Sequence, residues 1–457
     1  MKKYDIIVIG SGCGMIVVEA AAKKGWRAAL VEDSHIGGTC LNTGCVPSKM
    51  IISPADAINE IARSKRLGVN ASVDSIDFKK IVERAITTVI GYRNKLKRSV
   101  QRMEGVDLYE GVAKFTSDYV IDIAGEQITA PRIVIACGTH PFVPDKNMIG
   151  KEGFFTSDNL LNIKELPERL IIAGGGYIAC EYAHLFSSFG TQVVVLEKGD
   201  RLLDREETEV SRLVEKSLGN SVEIHTQTKL EGVRKEGSEW IVNTVSIENG
   251  ITNELRTGRV LMALGRSSNA ESLNLHNTSV ETDRKGFIIV DSYLETAVPG
   301  IYAIGDVNGN HMFRHAADYE AEIVFQNMLL ADDEGNKKIK TNYMAMPRAI
   351  FTRPQVAGVG LTETEAKKFY NATSKTKYYN ETVRGEAMQE REGFVKAICN
   401  CDNGQILGCH IAGPQASVLI QEVVNVMANN GTASAIKRCV HIHPALTEIV
   451  TLAFSKF

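Results

Sequence analysis

The sequence carries no excess of either charge: 52 basic and 55 acidic residues leave a net charge of −3 over 457 residues. No basic tract could follow a phosphate backbone, which argues against nucleic acid as the main partner. Long apolar runs are missing too. The run at 6–9 passes straight into a glycine turn, too short for a membrane span or for the core of a signal peptide, and no membrane partner is expected. The nine cysteines form no evenly spaced framework, so most are expected to stay thiols in a reducing, cytoplasmic setting. There is no low-complexity tract. With 44% hydrophobic and 23% charged residues, this is the balance of an ordinary globular protein. The length suits about two to four domains, each with its own core.

The chemistry lies in what is present. Residues 37–49 read GGTCLNTGCVPSK, with Cys40 and Cys45 separated by four residues. One turn of helix at that spacing brings two sulfurs within bonding distance, at a helix start whose dipole stabilises a thiolate. Oxidised, such a pair accepts two electrons; reduced, one sulfur attacks a substrate disulfide. A structural disulfide or half a zinc site would use the same residues, although no second cysteine pair lies nearby to complete a tetrahedral set.

Twice the chain reads strand, glycine turn, helix, strand and acid. The first copy has a strand at 4–9, then Gly10, Gly12 and Gly14, and a second strand ending at Glu32, 20 residues after Gly12. The second has a strand at 170–173, Gly174, Gly175 and Gly176, a helix through Ala179 and Glu181, and a strand ending at Glu197. Glycines let the backbone approach a pyrophosphate, the helix N-terminus attracts it, and the acid bonds ribose hydroxyls. Two copies a domain's length apart predict two dinucleotides. At the third glycine position the first copy has Met15, so its helix and strand are expected to pack slightly further apart. Glu197 predicts NAD over NADP, because a carboxylate there repels a 2′-phosphate; Lys198 and Arg201 are the nearby cations that could offset it. Toward the C-terminus, His441 and His443 stand two apart, followed by Pro444 and Glu448. These histidines with Cys439, or Cys399 and Cys401 (on one strand face by alternation) with Cys409 and His410, could be read as metal ligands. No tight ligand spacing continues, and no metal is expected.

Together these motifs resemble the pyridine nucleotide–disulfide oxidoreductases over nearly the whole chain. The resemblance implies an α/β protein: two Rossmann-like dinucleotide-binding domains, for FAD (1–145 and 265–335) and NAD(P) (146–264), and a C-terminal α+β dimerisation domain (342–457) after a polar linker at 331–341. It makes Cys45 the sulfur beside the flavin and Cys40 the sulfur that attacks substrate. It makes His443 the general acid/base oriented by Glu448, acting on the cysteines of the other subunit of a homodimer, with His441 left to packing. Lys49, paired with Glu181, would sit beside the flavin. The segment 296–306, ending Gly305-Asp306, would reach the flavin's ribityl chain. Thr39, Ala113, Gly138, Gly265 and His315 complete the expected cofactor contacts. The implied reaction moves two electrons between nicotinamide, flavin, cysteine pair and a small dithiol or disulfide, as in dihydrolipoamide dehydrogenase. A mycothione or bis-γ-glutamylcystine type of disulfide reductase is the alternative, favoured by Ala445 after the proline and by His184. A docking subunit of a lipoyl-bearing 2-oxoacid dehydrogenase complex is a third reading.

Overall fold

The computed structural model describes residues 1–144, 154–331, 337–455 and 457. The expected boundaries at 145/146 and 335, and residues 332–336 of the linker at 331–341, lie outside the described residues.

Ile6–Ile9 is apolar at every position and buried at every position, the pattern of a strand covered on both faces. It lies at the centre of a five-stranded parallel sheet in the order Ile301–Ala303, Ile133–Ile135, Ile6–Ile9, Ala28–Glu32, Val106–Glu110. Helix α1 (Gly14–Lys24) makes the first crossover and ends on Gly25 in the left-handed conformation. The chain then forms α2 (Gly38–Asn42), α3 (Cys45–Ser64) and α4 (Phe78–Gln101). A second parallel sheet, ordered Val222–His225, Gln192–Leu196, Arg169–Ala173, Arg259–Met262, carries α5 (Tyr177–Ser188) after its own glycine turn. The two halves are stitched where Thr139–Pro141 pairs antiparallel with Arg266–Ser268, so the chain leaves and re-enters the first sheet side by side. The C-terminal region is a five-stranded antiparallel sheet backed by Ala416–Ala428 and Glu448–Phe454.

Two departures from the sequence reading concern packing. Gly14 supplies the close helix–strand contact: a Cβ there would lie 2.7 Å from Val8 Cγ1. Met15 is buried beside it in the same core. Cys399 is buried near the end of Phe394–Asn400, whereas Cys401 falls past that strand's end and is exposed. They do not share a strand face.

Helix α3 is rooted where three regions meet. Its Ile51, Ile52 and Ala55 join Leu170 and Ile172 of the second sheet and Ile350 and Phe394 of the C-terminal sheet in one apolar cluster. That burial fixes the end of α3 from which Cys45 projects. A charged junction reinforces the same meeting place: Lys396, nearly inaccessible, lies 3.0, 2.9 and 2.8 Å from Glu207, Glu209 and Glu363.

Candidate active site

The cysteine pair is shaped by a reversal of the backbone. Thr43 and Gly44 both donate to Thr39 O, at 2.9 and 2.7 Å, closing the turn between α2 and α3. A Cβ on Gly44 would lie 3.0 Å from Thr39 O and 3.3 Å from Cys40 Cα, so a larger residue would crowd the turn. The two sulfurs are thereby brought into hydrogen-bond contact as free thiols. The contact separates them electrostatically. Cys45 is lowered to about 7, first by the hydrogen bond from Cys40, with Lys49 helping; Cys40, the donor, is raised. Cys45 is the first residue of α3, whose first turn has no side-chain cap and no acidic residue, so its dipole also favours the thiolate.

Lys49 stands one turn further along α3, its Nζ 2.9 and 2.7 Å from the two carboxylate oxygens of Glu181 on α5, and 4.6 Å from the centre of the Phe351 ring. Phe351 N donates to the same carboxylate at 3.0 Å. This bond ties the cysteine helix, the second nucleotide region and the C-terminal sheet at one point. Arg314, paired with Asp318 at 2.8 Å, contributes positive potential at Cys40. No spacing pattern in the sequence points to either Phe351 or Arg314.

The first glycine turn has the form of a phosphate cradle. A Cβ at Gly10 would lie 2.3 Å from Ala136 O, and one at Gly38 would lie 2.8 Å from Gly12 Cα. The start of α1 has neither a side-chain cap nor an acidic residue in its first turn, leaving N–H groups free for an anion. Glu32 is buried at the strand end, bonded by the Ser11 hydroxyl and by Ser11 N at 3.0 Å; burial raises its carboxyl, against those bonds. Ala113 lies in a neighbouring sheet, brought beside Glu32 by the bond from Gly111 N to Glu32 O at 2.8 Å. Asp306 accepts from Thr139 Oγ1 at 3.0 Å, and Arg266 bonds Thr139 Oγ1 and O at 2.6 and 2.7 Å. Gly138 and Gly265 bracket that crossing, both with positive φ. These features fit a bound dinucleotide.

The second turn is built likewise. A Cβ at Gly174 would lie 2.3 Å from Ala263 O, Gly176 precedes an uncapped α5, and Ala179 is fully buried in the third-glycine position. Glu197 accepts from Gly199 N at 2.6 Å, with its carboxylate against Gly175. Arg201 is turned to Asp204 O at 2.8 Å, away from that carboxylate.

His443 and Glu448 come together, with His443 Nδ1 2.9 Å from Glu448 Oε1 and Ala445 N donating to the other oxygen at 3.1 Å. These two bonds hold the Glu448 carboxyl below its usual range. The His443 ring is 67% exposed, and among the described residues it bonds neither cysteine. His441 was expected to do no more than pack, but it is bonded, with Nε2 2.6 Å from Glu422 Oε1. His315 stacks on Phe313 and bonds Pro347 O at 2.7 Å, at the edge of the C-terminal sheet. Among the described residues no three His, Cys, Asp or Glu side chains cluster to hold a metal, and no helix is long and apolar enough to cross a membrane.

Two uncapped glycine turns with strand-end acids, joined through Lys49 and Glu181 to a cysteine pair with one acidic thiol, define an oxidoreductase that couples dinucleotides to a dithiol. The chain belongs to the pyridine nucleotide-disulphide oxidoreductase family, whose model matches residues 4–321, with the family's dimerisation domain at 346–454. It is 34% identical to mycothione reductase of Mycobacterium tuberculosis over 98% of each chain. It is 32% identical to dihydrolipoyl dehydrogenase of Chlamydia muridarum over 98% of this chain and 95% of the relative. Among solved structures it resembles the HOCl-induced flavoprotein disulfide reductase RclA of Escherichia coli, in its Cu(II) complex, with a TM-score of 0.87 and 28% identity over 100% and 99% of the two chains. Its activity is that of the family: FAD-dependent oxidoreduction at a disulfide, coupled to a nicotinamide nucleotide.

Proposed function

We propose that the chain is an NADH-linked dithiol–disulfide oxidoreductase of the dihydrolipoamide dehydrogenase type, working as a cytoplasmic homodimer. The placing of the two cysteines side by side at the start of α3, tied through Lys49 and Glu181 to the second glycine turn, carries this reading. FAD, when bound, relays two electrons between the nicotinamide and the cysteine pair. Residues of the first glycine turn, with Glu32 and Asp306, would hold it, and Lys49 would stand beside its ring. In the reductive direction Cys40 attacks one sulfur of the substrate disulfide, forming a mixed disulfide and releasing a thiolate that His443 protonates. Cys45 then displaces the second thiol from Cys40, closing the Cys40–Cys45 disulfide. Dithiol oxidation runs the same steps backward. Because His443 is exposed and bonds neither cysteine of its own chain, it would serve those of a second copy.

Glu197 supports NADH. Its carboxylate stands at the strand end, while Arg201, one of the two cations that could have met a 2′-phosphate, is engaged with Asp204. A second reading, a reductase of a small thiol disulfide, is favoured by the 34% identity to mycothione reductase and by Ala445 after the proline. Turnover with lipoamide against a panel of low-molecular-weight disulfides, with NADH and NADPH in parallel, tests both. The first reading requires lipoamide and NADH to lead; a thiol disulfide turned over faster than lipoamide would replace it with the second. Comigration with a lipoyl-bearing complex would add the docking role.

A further inference from the structure

One side chain holds the arm between the two cysteines. Asn42 is buried, two residues after Cys40 and three before Cys45. Its Nδ2 lies 3.0, 3.1 and 2.9 Å from the carbonyl oxygens of His35, Ile36 and Gly38, and its Oδ1 accepts from Arg93 Nε, on α4, at 2.9 Å. The amide has one workable orientation. Turned over, its oxygen would face three carbonyl oxygens and its NH2 would face the arginine N–H. Arg93 thus anchors the end of Asn42 that the backbone leaves free.

Arg93 is itself unusual. It is half-buried, burial lowers its guanidinium, and Asn42 is its only hydrogen-bond partner among the described residues, with no carboxylate paired to it. A cation partly removed from water beside one neutral amide has no ion pair to offset its desolvation. What the contact does accomplish is local. It fixes 35–38 against the end of α2, the short helix that carries Cys40.

Resting on the reading of Cys40 and Cys45 as the working redox pair, we propose that Arg93 is a positioning residue for that pair, holding α2 through Asn42 so that the Cys40 thiol donates to the Cys45 sulfur. Because that bond is the chief cause of the acidity of Cys45, weakening it raises the thiolate's midpoint. The groups facing Cys45 that take part in its titration are Cys40, Lys49 and Glu181.

The test uses the FAD-loaded, two-electron-reduced enzyme and follows its long-wavelength thiolate-to-flavin absorption against pH. Arg93→Met keeps the aliphatic stem and removes the donor. Its midpoint should rise by about one pH unit, cutting the thiolate fraction at pH 7 from about a half to about a tenth. Arg93→Lys, which retains a charge and a donor of poorer reach, should shift less. A lower melting temperature with an unchanged midpoint in Arg93→Met would show a merely structural role and overturn the proposal. If Arg93→Met does not accumulate as a flavoprotein, Arg93→Lys decides alone: an upward shift supports the proposal and none overturns it. A wild-type enzyme with no such absorption would instead contradict the redox pair itself.

Discussion

The two reactive centres of this chain are built in opposite ways. Cys40 and Cys45 are finished within one chain: Gly44 reverses the backbone, α3 is rooted in a core shared by three regions, and Lys49 is held by Glu181. Their acidity is set by neighbours on the same chain. His443 has Glu448 and little else, and two thirds of its side chain is open. Val440 and Ile442 beside it are 100% and 77% exposed, in the family's dimerisation domain. A thiol centre needs a proton donor at the leaving sulfur, and an acid/base needs a sulfur to serve. The contrast supports the proposal that each centre is half of a site whose other half lies across the dimerisation surface.

The largest effects should come from the finished half. Cys40→Ser and Cys45→Ser should each abolish disulfide turnover, since no second thiol remains to close the exchange. Their spectra should differ. With FAD bound, Cys40→Ser should keep the long-wavelength thiolate band without any reductant, and Cys45→Ser should lack it; the reverse pattern would exchange the roles of the two sulfurs. The open half comes next. His443→Gln should slow the dithiol–disulfide half-reaction by about two to four orders of magnitude, while NADH still bleaches the flavin at nearly the wild-type rate. His441→Gln should cost far less; a comparable loss in rapid-mixing experiments would mean that its bond to Glu422 does catalytic positioning.

Smaller effects probe the electrostatics of each half. Near Glu197, repulsion and a lost ribose bond together disfavour a 2′-phosphate on the order of 2–4 kcal/mol, a preference for NADH of roughly thirtyfold to a thousandfold. Glu197→Arg should narrow or invert that ratio in steady-state assays; a wild-type enzyme indifferent to the two cofactors would remove the argument. The smallest effect is a midpoint. Cys45 is lowered, so its thiolate, absent in acid, should appear as pH rises through about 7 rather than the ~8.5 of an ordinary thiol. The absorbance of the thiolate band against pH reads this directly.

Much of this was legible in the sequence because local grammar carries it. Glycine turns, strand-end acids and the cysteine spacing are short-range patterns, whereas the pairing of Lys49 with Glu181, 132 residues apart, is what the family resemblance implies. What the sequence did not show depends on contacts between distant segments. Nothing near Asn42 points to Arg93, 51 residues later, and Phe351 meets Glu181 only because the C-terminal sheet closes over α5. Gly14 was eclipsed by the expectation of a glycine at position 15; which residue touches Val8 is decided by how α1 is seated, not by motif counting. Cys401 was assigned to a strand that ends one residue earlier, at Asn400, where the chain turns out of the sheet.

The central claim, that two incomplete centres make one site across a dimer, has a direct test. Cys45→Ser and His443→Gln chains, each nearly inactive as homodimers, are mixed under conditions where subunits exchange, and exchange is verified by differential tagging. Half of the sites in each heterodimer would then carry both defects and the other half neither. Activity should reappear in proportion to the heterodimer formed. Verified heterodimers that stay as inactive as their parents would show that His443 does not serve a cysteine pair on another chain.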